Sequence, residues 1–134
     1  MKRTKSPAGK TDDPVYAAIK AHRIAFAKME VESREHNRWE EVELRKEKEG
    51  TELSSDERQE LRAVEKRYHL ASDREAEALH KLMNVAPISS AGAAALLGHI
   101  RDEIAAQPGA LLFQPDDMIA LLSNVQSAIG SRDA

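Results

Sequence analysis

DPVYAAIKAHRIAFAKMEVESREH, residues 13–36, decides the fold. Val15, Ile19, His22, Phe26, Met29, Ser33 and His36 follow one another at alternating steps of four and three. That spacing keeps one stripe of a helix turned toward a partner. LRAVEKRYHLASDREAEALHKLM, residues 61–83, answers it: Leu61, Val64, Tyr68, Ala71, Glu75, Ala78 and Leu82 alternate steps of three and four. Asp13 and Pro14 suit the start of a helix, Gly50 suits a stop, and Ser54 with Glu57 reads as a capping box. The expected fold is all-α: a long antiparallel helical hairpin over 13–84, bent near Gly50.

Straight arms folded about that bend bring together residues whose numbers sum to about 103. Phe26 then faces Ala78, and Ile19 faces Leu82. Between the apolar layers, Ser33 and His36 meet Ala71 and Tyr68 in a polar waist. From Glu30 to Glu60 acids outnumber bases, and few apolar residues line the stripe. A thinly held, solvated tip is expected there.

Outside the hairpin, residues 1–11 carry Lys2, Arg3, Lys5 and Lys10 with little to bury, and read as a disordered basic tail. Residues 12–134 read as one helical domain. Asn84 to Pro87 breaks the second arm. A third helix is expected over 89–107, with the stripe Ala93, Leu97, Ile100 and Ile104. Leu111, Leu112 and Phe113 form an apolar bridge. A fourth helix is expected over 115–130, with Met118, Leu121, Leu122, Val125 and Ile129 inward and Gly130 as its end. Leu79 and Met83 receive these two shorter helices near the hairpin's base.

The first helix is apolar on more than one side. Ala17, Ala21, Ile24 and Val31 occupy a face its hairpin partner cannot reach, and Leu70 on the second arm also lacks a partner. The C-terminal helices are expected to cover this face in part. A second copy, packed as a symmetric dimer, or another protein takes what is left.

Asp13-Pro14-Val15-Tyr16-Ala17-Ala18-Ile19 followed by Ala21-His22-Arg23, with Pro87, Ser89, Ala91-Gly92 and Ala95-Leu96-Leu97, resembles a family of small uncharacterised alphaproteobacterial proteins. The resemblance covers about a quarter of the chain. It implies a helical build and no activity.

Composition narrows the chemistry. The net charge of −3 gives no overall field for nucleic acid or acidic membrane, and the absence of cysteine excludes disulfides and thiolate metal sites. No apolar run approaches the ~20 residues of a membrane span, and no signal sequence is evident, so a cytoplasmic location is expected. Glu77-x-x-His80 is the single spacing of the kind that di-iron bundles use, and such sites need further inward ligands. His22 and His36 fall on the inner stripe as packed histidines. No phosphate-binding loop, nucleophile elbow or zinc motif occurs. No catalytic residue, metal or cofactor is therefore expected. The sequence reads as a non-enzymatic protein–protein interaction or scaffold protein, with Ala17, Ala21, Ile24, Val31 and Leu70 as its interaction surface. The alternative is a small DNA-binding regulator, in which 89–107 forms a helix-turn-helix with its turn at Gly98.

Overall fold

The computed structural model describes residues 13–106 and 115–133. The described residues form four α-helices and no strand: α1 (Pro14–Lys48), α2 (Ser55–Asn84), α3 (Ser90–Ala106) and α4 (Pro115–Asp133). The expected basic tail over 1–11 and the Leu111–Phe113 bridge lie outside them. No helix among the described residues is long and apolar enough to cross a membrane. The described residues divide into two compact units, one of 13–22 with 78–106 and 115–133, and one of 23–77.

The first unit owes its core to the start of α1, the end of α2, α3 and α4. Val15, Ile19, Leu82, Met83, Leu96, Leu121 and Val125 form one buried cluster. Complete burial of side chains such as Leu82 and Met83 contributes about 1.5–3 kcal/mol each. Leu79 and Met83 receive the later helices as the spacing predicts.

The faces that α3 and α4 turn inward differ from those expected. On α3, Ala93, Leu96, His99 and Ile100 are buried, while Leu97 and Ile104 are 41% and 43% exposed. His99 is drawn in by a polar contact with His22, and Leu96 precedes it by one turn on the same side. On α4 the inward residues are Leu121, Val125 and Ala128, leaving Leu122 and Ile129 outside. A one-residue change of face rotates a helix by about 100°. Gly130 does not end α4, which continues to Asp133, because a lone glycine costs a helix only about 1 kcal/mol.

The second unit joins 23–48 of α1 to 55–77 of α2. Phe26, Leu61, Val64 and Ala71 are buried, as is Leu53 in the connection. Cross-helix contacts link Glu32 with Arg67, His36 with Tyr68 and Lys46 with Glu57. Of the expected waist, His36 and Tyr68 do meet: their rings stack with centroids 4.9 Å apart and planes 11° from parallel.

The connection is built by its own backbone. Gly50 adopts φ +74°, which a residue with a Cβ resists. Thr51 N–H then donates to Lys46 C=O at 2.9 Å and Gly50 N–H to Glu47 C=O at 3.1 Å, closing α1 with a Schellman motif. Ser54 N–H donates to Glu57 Oε1 and Glu57 N–H to Ser54 Oγ, the reciprocal capping box that opens α2.

Candidate functional site

The two sequence motifs farthest apart in the first unit meet at one carboxylate. Asp13, 1% exposed, caps α1 by accepting Val15 N–H on Oδ1 at 3.1 Å. Its Oδ2 accepts Ile88 N–H at 3.1 Å and Ser89 Oγ–H at 2.7 Å. Ser89 Oγ in turn accepts Gly92 N–H at 2.9 Å, which caps α3. Gly92 is required by space: a Cβ there would overlap Asp13 Oδ2 and stand 2.7 Å from its Cγ. The buried carboxyl group accepts these three hydrogen bonds and ties the start of α1 to the start of α3.

Two turns along α1, His22 Nδ1 lies 2.8 Å from His99 Nε2, with the rings edge to face. Both are buried, at 0% and 3% exposure. One ring donates and the other accepts, so a single proton sits between them. Neither opens to solvent. Sequence spacing placed His22 inward, but the expected α3 stripe of Ala93, Leu97, Ile100 and Ile104 leaves His99 out, so the pair was not legible from periodicity.

At the joint of α2 and α4, His80 Nδ1 is 3.0 Å from Asp117 Oδ1, and Asn84 Nδ2–H donates to the same oxygen at 3.0 Å. The Asn84 hydrogen bond holds the Asp117 carboxyl below its usual range; partial desolvation opposes this and His80 reinforces it. His80 thus ties α2 to α4. Among the described residues no group of three or more histidine, aspartate or glutamate side chains could hold a metal ion.

In the second unit Glu32 keeps its charge while only 7% exposed at the side chain, bridging Lys28 at 2.7 Å and Arg67 at 3.4 Å. The Lys28 hydrogen bond is the main cause that lowers its pKa; burial opposes it and Arg67 adds to the lowering. Ion pairing in place of a stripe leucine was not evident from the spacing.

What remains accessible is apolar surface. Ala17 and Ala21 are exposed, as are Ile24 (62%), Val31 (51%) and Leu70 (48%). Within the first unit, the expectation that the C-terminal helices cover Ala17 and Ala21 is not met. The stripes of α3 and α4 are spent on the side of α1 that carries Val15 and Ile19. Leu44 on α1 and Ile119, Leu122 and Ile129 on α4 are exposed as well, and the sequence reading did not single them out as contact residues. Gly98 makes no turn; α3 runs through it unbroken, so 90–106 lacks the break of a helix-turn-helix.

No protein-family model, curated protein or solved structure matches the chain.

Proposed function

We propose that this protein is a non-enzymatic helical interaction module that acts by associating with a second copy of itself. In this reading 23–48 and 55–77 form an antiparallel hairpin in the manner of a short coiled coil, and the protein works in the cytoplasm. The observation that carries it is Ile24, 62% exposed in the middle of a long helix, with Val31 at 51% two turns on. Large apolar side chains aligned on one helix face are characteristic of surfaces that dock. The polar groups support the same assignment, since Asp13, Ser89, His80 and Asp117 are engaged in tying helices together.

Light scattering on the purified chain at micromolar concentration tests it. A mass twice the 14.9 kDa of one chain is expected, and Ile24→Glu should return it to one. A wild-type mass of one chain removes self-association. A pull-down that recovers a different protein in fixed ratio would then point to a hetero-partner.

A further inference from the structure

We draw no further inference here: the strongest candidate, the apolar groove on the outer side of α4 lined by Leu122, Val125, Gln126, Ile129 and Gly130, is an exposed helix face, and nothing in the structure shows what covers it.

Discussion

Ser89 Oγ donates to Asp13 Oδ2 across 2.7 Å, and through it one buried carboxylate caps both α1 and α3. Residues 76 positions apart thereby share one hydrogen-bond system. Asp13→Ala removes a helix cap, worth about 1 kcal/mol, and strands Ile88 N–H and Ser89 Oγ, worth about 1–3 kcal/mol more. A loss of about 2–4 kcal/mol in urea unfolding is expected on those two grounds. Gly92→Ala should lose a comparable amount, since its Cβ meets the same carboxylate. A loss under ~0.5 kcal/mol for either, the range of ordinary surface changes, would mean the network is not made in solution.

The His22–His99 contact makes a spectroscopic prediction. Two buried rings 2.8 Å apart at their nitrogens hold one N–H between them. That proton should be shielded from water and visible as a slowly exchanging imidazole resonance in nitrogen-labelled protein. It should vanish in His99→Ala, which also opens a void and should destabilise by about 2–4 kcal/mol. An imidazole N–H that exchanges as fast as that of His69, an exposed histidine, would contradict the pair.

Much of the fold was legible because periodicity and caps agree at each point. The stripe through Val15, Ile19, His22 and Phe26 is buried as its spacing requires, and Gly50, Ser54 and Glu57 mark their helix ends. The inward faces of α3 and α4 were not legible. Leucines stand side by side at Leu96–Leu97 and Leu121–Leu122, so spacing alone does not choose between two adjacent faces. On α3 the buried face is the one that carries His99, and its contact with His22 joins residues 77 apart, beyond the reach of local spacing. Ala17, Ala21, Ile24, Val31 and Leu70 were legible as lying off the stripes that join the two long helices, and all five are exposed. Leu44 was missed because its neighbours are so strongly charged.

Acid should act first on the ties between helices. Glu57 is lowered to about 2 by its hydrogen bond to Lys46, then by Ser54 N–H. Its folded value lies below its unfolded one, so its contribution is complete above the ordinary value of 4.5. That contribution is lost as pH falls from there through about 2. Asp117 and Glu32 are lowered too and add to the same limb. Stability should therefore fall below pH about 4.5, and Glu57→Gln should flatten the fall. A carboxyl titration by NMR that places Glu57 near its ordinary value would remove this prediction.

Ser33 offers a substitution that should cost nothing. It sits half-buried on the α1 stripe one turn before His36, whose ring stacks on Tyr68. Ser33→Leu adds apolar surface at an inward position, and burial of part of a leucine favours folding by roughly 1 kcal/mol if space allows. Stability unchanged or raised is expected. A loss above ~2 kcal/mol in a denaturant melt would mean the waist is already filled.

Gly50 isolates backbone strain from packing. Its φ of +74° is the one positive value recorded among the described residues, and nothing lies within 4 Å of where a Cβ would stand. Gly50→Ala therefore meets no neighbour, and its whole cost is the left-handed conformation, about 1–2 kcal/mol. Asparagine tolerates that region better, so Gly50→Asn should lose less than Gly50→Ala. The Schellman bonds from Gly50 and Thr51 survive in both, because each uses only backbone atoms. Amide exchange at Thr51 should then stay slower than at exposed Glu52, whose N–H makes no recorded backbone bond. A larger loss for asparagine than for alanine would show that side-chain size, and not φ, governs this turn.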